Sequence, residues 1–203
     1  MSPQRIPSIA KAIIVALMVT AAILGAIWIL FPGGIPEVDL LLIPGSQDDM
    51  AGENISLTEP SSMLKLLPVP PNGWSLDNST GSYADNYPQP FTFACGNYTK
   101  KSGNGTVNVL IYDSGGKGII WNSIFNTGFI YDNADGHART YFYKDLPAWE
   151  TAKYGPGGNV YSMHIKLDER FGIAITLKNA TDSSSLREFA DRINIYGIRA
   201  LGK

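Results

Sequence analysis

Residues 160–177 read VYSMHIKLDERFGIAITL, and this stretch decides the fold. In its first half Tyr161, Met163, Ile165 and Leu167 occupy alternate positions, and in its second half Phe171, Ile173, Ile175 and Leu177 do the same. An apolar period of two puts such side chains on one face of an extended strand. Between them stand only Asp168, Glu169 and Arg170. That loop is too short for a parallel crossover, so the two runs read as an antiparallel hairpin. Upstream, Val107, Val109 and Ile111 alternate within residues 106–112 and predict another strand, with weaker candidates at 91–95 and 139–144. Downstream, Leu186, Phe189, Ala190 and Ile193 follow an i, i+3, i+4, i+7 pattern and predict a helix. Ser183 to Ser185 offer caps for it, and Ser185 with Glu188 has capping-box spacing. Residues 119–129 predict a second helix with Ile120, Ile124 and Phe125 on one side. The expected fold class is α+β: an antiparallel β-sheet with one or two helices packed on a face. His164 shares its phase with Ser162 and Lys166 and is expected to face solvent.

Composition excludes several functions. The chain has 203 residues, 44% of them hydrophobic and 17% charged, with a net charge of −2. A nucleic-acid binder needs a basic face to displace counterions, so nucleic acid is not expected as a partner. Two histidines and one cysteine fall short of the four ligands of a Cys/His zinc site. A single cysteine, Cys95, rules out an intrachain disulfide and is expected to act as a small buried apolar group. Ser114-Gly115-Gly116-Lys117-Gly118 resembles a phosphate loop, but the hydroxyl that should follow the lysine is a glycine, so the segment reads as a turn. Asp132-Asn133-Ala134-Asp135-Gly136 resembles part of a calcium loop, but Tyr131 and Phe142 stand where that loop needs carboxylates. An Asn/Asp–Gly turn is the expected reading there. His137 follows directly, and a His–Asp pair at this turn would have the chemistry to bind a metal or shuttle a proton. No residue is assigned as catalytic, cofactor-binding or metal-ligating, and no cofactor is expected. A carboxylate pair built from residues distant in sequence stays open.

The N-terminal segment places the chain. Residues 12–31 read AIIVALMVTAAILGAIWILF, without a charge. At 1.5 Å per residue such a helix is about 30 Å long and spans a bilayer core. Arg5 and Lys11 precede it, Pro32, Gly33 and Gly34 end it, and the next charges are acidic, from Glu37 and Asp39 onward. The positive-inside rule then puts residues 1–11 in the cytoplasm and the remainder outside. A retained signal-anchor fits best. A cleaved signal peptide has a shorter apolar run, and Leu24-Gly25-Ala26 is a poor cleavage site. A pilin-type leader would carry polar residues early in its helix and would not stop at Pro32. Residues 32–63 hold Pro32, Pro36, Pro44 and Pro60 and are expected to form a stalk, with a short helix starting near Thr58-Glu59-Pro60. Residues 64–203 are expected to form the extracytoplasmic domain.

Asn-x-Ser/Thr occurs at Asn54, Asn78, Asn97, Asn104 and Asn179, where chance placement gives fewer than two. These are candidate glycosylation sites, expected in exposed loops. With the anchor, the absence of disulfides and the lead-in Leu66-Leu67-Pro68-Val69-Pro70-Pro71-Asn72-Gly73-Trp74, they give the chain its resemblance. It resembles small single-pass surface proteins of archaea, especially methanogens. The resemblance implies an extracytoplasmic location and carries over no functional residue. The expected function is a membrane-anchored binding or assembly module without catalytic activity, with an envelope protein or a glycan as partner. The alternatives are a structural subunit of a surface filament or membrane complex, and a carboxylate-dependent enzyme. A spanning helix is held by hydrocarbon, so the protein should remain with membranes in high salt and alkaline carbonate. N-terminal sequencing that finds a mature end after Ala26 would show a signal peptide instead.

Overall fold

The computed structural model describes residues 56–84, 90–116 and 130–203, with Phe125 and Gly128 alone between 117 and 129. The proposed span at 12–31, most of the stalk, Asn54 and nearly all of the 119–129 helix lie outside the described residues. Among those described, no helix is long and apolar enough to cross a membrane.

Eight strands form one antiparallel sheet: β1 (Trp74–Ala84), β2 (Phe91–Lys100), β3 (Thr106–Asp113), β4 (Ile130–Asn133), β5 (Gly136–Tyr143), β6 (Leu146–Lys153), β7 (Val160–Lys166) and β8 (Phe171–Lys178). Their spatial order is β1-β2-β3-β8-β7-β6-β5-β4. Two meanders, β1 to β3 and β4 to β8, therefore meet where β3 pairs with β8. The expected hairpin is β7–β8, with Ile165 opposite Ile173 and Met163 opposite Ile175. Val109 faces Ile175 and Ile111 faces Ile173 across the β3–β8 seam. These inward side chains are fully buried.

Three short helices accompany the sheet: α1 (Pro60–Leu64), α2 (Ser184–Asp191) and α3 (Ile195–Ala200). α1 rests on β1 and β2, where Gly81 lets Pro60 and Leu64 approach to distances a Cβ would block. α2 is the helix expected from the 186–193 stripe, and its Leu186 and Phe189 are fully buried. The Phe189 ring meets Trp74 edge-on at 5.4 Å and Tyr98 at 4.8 Å. The capping box does not form. Asp182 accepts the Ser184 amide N–H instead, at 2.9 Å. Folded structure also begins before residue 64: Met63 is fully buried. Thr58 does not cap α1: Glu59 is the N-cap residue, and the Thr58 hydroxyl accepts from Arg170 Nη2 at 3.2 Å while its amide donates to Asp113 Oδ2 at 2.8 Å.

The second face of the sheet departs from expectation. Gly172, Ala174 and Thr176 alternate with the large residues of β8, yet every residue from Phe171 to Leu177 is buried. A strand buried on both faces reads as a continuous run. His164 lies on this second face, opposite Ala174, and is 3% exposed rather than solvated. Its ring stacks on Trp149 with centroids 5.0 Å apart.

Ile173→Asp should unfold the domain, because an unpaired carboxylate at a fully buried position costs several kcal/mol, comparable to a total stability of roughly 5–15. Circular dichroism melting reports it, and a melting temperature matching the wild type would refute the packing of the β3–β8 seam.

Candidate functional site

The inward face is not apolar throughout. On β6 the inward positions are Leu146, Ala148, Glu150 and Ala152, and Glu150 is 1% exposed. A buried carboxylate is costly unless paired and hydrogen-bonded. Its neighbours on β5 provide that. Arg139 lies directly opposite and donates from Nη2 to Oε1 at 2.7 Å. The Tyr141 hydroxyl donates to Oε2 at 3.3 Å, and His137 Nε2 lies 3.3 Å from Oε1. The other imidazole nitrogen, Nδ1, is 3.1 Å from the hydroxyl of Tyr154, just past the end of β6. Strand alternation puts His137, Arg139 and Tyr141 on one face, and the hairpin turn at Lys144-Asp145, both at positive φ, folds them over β6. Burial, followed by the Glu150 charge, pushes the Tyr141 hydroxyl up to about 12, so it stays a donor at neutral pH.

α2 closes one side of this cluster. Arg187 stands 6.0 Å over the Tyr141 ring, and Arg139 lies 5.8 Å from the same ring centre. Asp191, one turn further along α2, bonds the Tyr143 hydroxyl and pairs with Lys144 at 2.7 Å. The arrangement is a shelf with a sealed carboxylate beneath it and two guanidiniums at its surface. Chemically it offers hydrogen-bond donors and aromatic faces. The row Glu150–His137–Tyr154 also has the spacing to move a proton between the tyrosine hydroxyl and the imidazole.

The positions singled out in the sequence disperse. His137 does belong to the cluster, but its hydrogen-bond partners are Glu150 and Tyr154; Asp132 is only its cross-strand neighbour. Asn133 Oδ1 accepts from the amides of Asp135 and Gly136, as a turn requires, and among the described residues no group of three His, Cys, Asp or Glu could hold a metal. Cys95 is buried, and burial raises its thiol pKa. Asn78, Asn97, Asn104 and Asn179 are all exposed. Asn78 and Asn97 sit inside β1 and β2 rather than in loops, where they join Asn108 in a ladder of amide bonds of 2.6 and 2.7 Å. Sequence reasoning missed Glu150, Arg139, Tyr141, Tyr154 and Arg187. The one available signal was a charged Glu150 between Ala148 and Ala152.

Two shallow grooves lie elsewhere. One of about 210 Å³ runs between Lys144, Leu146 and the α3 residues Tyr196 and Arg199. Another of about 170 Å³ lies among Trp74, Lys100, Asn104, Asn179 and Ser184. In the first, Lys144 is spent on Asp191 and Arg199 on the Leu167 carbonyl. Comparison of the chain with protein-family models, curated proteins and solved structures finds no match.

His164 gives the domain a specific acid response. Burial pushes its pKa down to about 4 from the ordinary 6.5. The unfolded chain therefore takes up the proton first, and stability falls as pH drops from 6.5 towards 4, by about 3 kcal/mol. Asp113 contributes nothing in that window. Burial alone would raise its carboxyl, but Arg170 and the amides of Gly115 and Thr58 hold it below the usual value. Urea midpoints across this range should fall in the wild type and flatten in His164→Phe. Equal slopes would place His164 in water.

Proposed function

We propose that the chain is a membrane-anchored extracytoplasmic binding module whose binding surface is the wing formed by β4, β5 and β6. The observation that carries this reading is exposure. Of the eight large apolar side chains exposed among the described residues, Ile130, Tyr131, Phe142 and Tyr154 belong to this wing or its immediate end. Ile130 is 84% and Phe142 75% exposed. Ile130, paired with Arg139, and Tyr154, beside His137, share the face of the polar cluster, whereas Tyr131 and Phe142 lie on the other face. Exposed apolar groups beside convergent polar ones mark interaction surfaces more often than a scattered surface residue does. The candidate glycosylation sites support the same assignment. Asn78 lies on the opposite edge strand, β1, Asn97 lies on its neighbour β2, and Asn104 and Asn179 flank β3 and β8. Glycans there would leave the wing clear. The anchor at residues 12–31 would confine the module near the membrane and raise its effective concentration for partners in the envelope.

A second reading, a subunit of a surface filament or membrane complex, draws support from the outer edge of β4. All four of its residues are exposed and it has no outer strand partner among the described residues, and such a strand edge is a template for another chain. The two readings differ in oligomeric state: a filament subunit pellets as polymer after detergent extraction, and a binding module stays small.

A photo-crosslinking residue placed at Ile130, opposite Arg139, in the full-length membrane protein should capture envelope components, and one at Ser79 on β1 should not. Equal capture from both edges would overturn the wing as the binding surface.

A further inference from the structure

The chemistry of the shelf narrows what the wing binds. We infer that Arg139, Tyr141 and Arg187 form a subsite for an acidic glycan, one bearing uronic-acid carboxylates. This inference rests on the wing being the binding surface.

Charge supplies the first half of the argument. Two guanidiniums face the Tyr141 ring within 6.0 Å, against one carboxylate, Glu150, which is sealed from solvent. The adjacent Lys144–Asp191 pair cancels, and Asp132 lies opposite His137 rather than Arg139. One positive charge is therefore left over at the ring. Arg139 spends Nη2 on Glu150 while its side chain stays 44% exposed, which leaves donors of its planar fork for a ligand. Arg187 is exposed and makes no hydrogen bond or ion pair among the described residues. Arginine forks match carboxylates in two-point geometry. The sealed Glu150 takes Nη2 of Arg139, and His137 and Tyr141 fill the rest of its reach, so it makes no bond to Arg187.

Aromatic surface supplies the second half and separates a sugar from an acidic peptide. Both guanidiniums lie within 6.0 Å of the Tyr141 ring centre, and Tyr154 with His137 continues the row along the strand ends. Such side chains combine an apolar face, suited to the C–H face of a pyranose, with a polar tip suited to its hydroxyls. Among the described residues no deep cavity surrounds the row. That suits an extended chain of sugars more than a buried small molecule.

The test uses the full-length protein in nanodiscs, titrated with trigalacturonate and followed calorimetrically. Maltotriose serves as the neutral control and hexaglutamate as the acidic-peptide control. Trigalacturonate should bind at least about tenfold more tightly than either control, and Arg187→Gln should weaken it by about tenfold while leaving the melting temperature unchanged. Arg187→Lys should recover part of that loss, since charge returns without the fork. Because Arg139→Gln would unpair a buried carboxylate and could unfold the domain, Arg187 carries the test. Absence of trigalacturonate binding, wild-type affinity in Arg187→Gln, or equal affinity for hexaglutamate would each overturn the glycan subsite. If crosslinking from Ile130 persists while trigalacturonate fails, the ligand class is wrong and the wing stands. Loss of both removes the wing as well.

Discussion

The molecule depends on the seam between β3 and β8. Neither meander is complete without it, since β1 to β3 and β4 to β8 meet nowhere else in the sheet. Apolar pairing fills the middle of the seam, and one ion pair closes its end. Arg170, in the turn before β8, donates from Nε and Nη2 to the two Asp113 oxygens, both at 2.8 Å. The same guanidinium bonds the Ser56 carbonyl at 2.9 Å, and Asp113 accepts the amides of Thr58 and Gly115. One buried carboxylate thus ties the lead-in chain, the end of β3 and the start of β8 to a single register. A slip by one residue would turn every core side chain of β8 to the other face.

From that seam the sheet grows in two directions with different cover. Towards β1, the helices α1 and α2 bury Met63, Phe189 and the aromatic pair Trp74 and Tyr98. Towards β4 the helical cover among the described residues ends at Arg187 and Asp191, and the inward face changes from isoleucine and leucine to Glu150, His137 and Arg139. The change in chemistry coincides with the end of the cover. A row of charged groups cannot be sealed under an apolar helix without leaving donors unsatisfied.

Legibility in the sequence followed the same gradient. β7, β8, β3 and α2 could be read because one face of each carries large apolar side chains at a strict period. β6 could not, since its inward set contains two alanines and a glutamate and so carries no apolar alternation. β1 is a polar edge strand whose register is broken by a bulge at Asp77, and nothing in its own pattern marks it. The burial of His164 was hidden because its face is lined by Gly172, Ala174 and Thr176, which are small and do not register as apolar. At the shelf, His137 drew notice by its residue type. Its partners Glu150 and Tyr154 stand 13 and 17 positions away, a distance that only strand pairing brings together.

The two buried carboxylates are held in different ways, and the difference separates the seam from the shelf. Asp113 is held largely by main-chain donors and by an arginine that also grips a main-chain carbonyl. Those backbone groups must find partners wherever the chain turns inward, so the pair answers a need of folding. Glu150 is held by side chains alone: Arg139, His137 and Tyr141. No backbone group would be orphaned if all four were replaced by apolar residues of similar volume. Replacement of a buried ionic cluster by well-packed apolar residues is often neutral or stabilising. Stability of the sheet therefore gives no reason for this cluster. What the cluster does supply is a fixed position for Arg139 and a Tyr141 hydroxyl that stays protonated at neutral pH beside Arg187. Both are properties that a ligand can use and the core cannot.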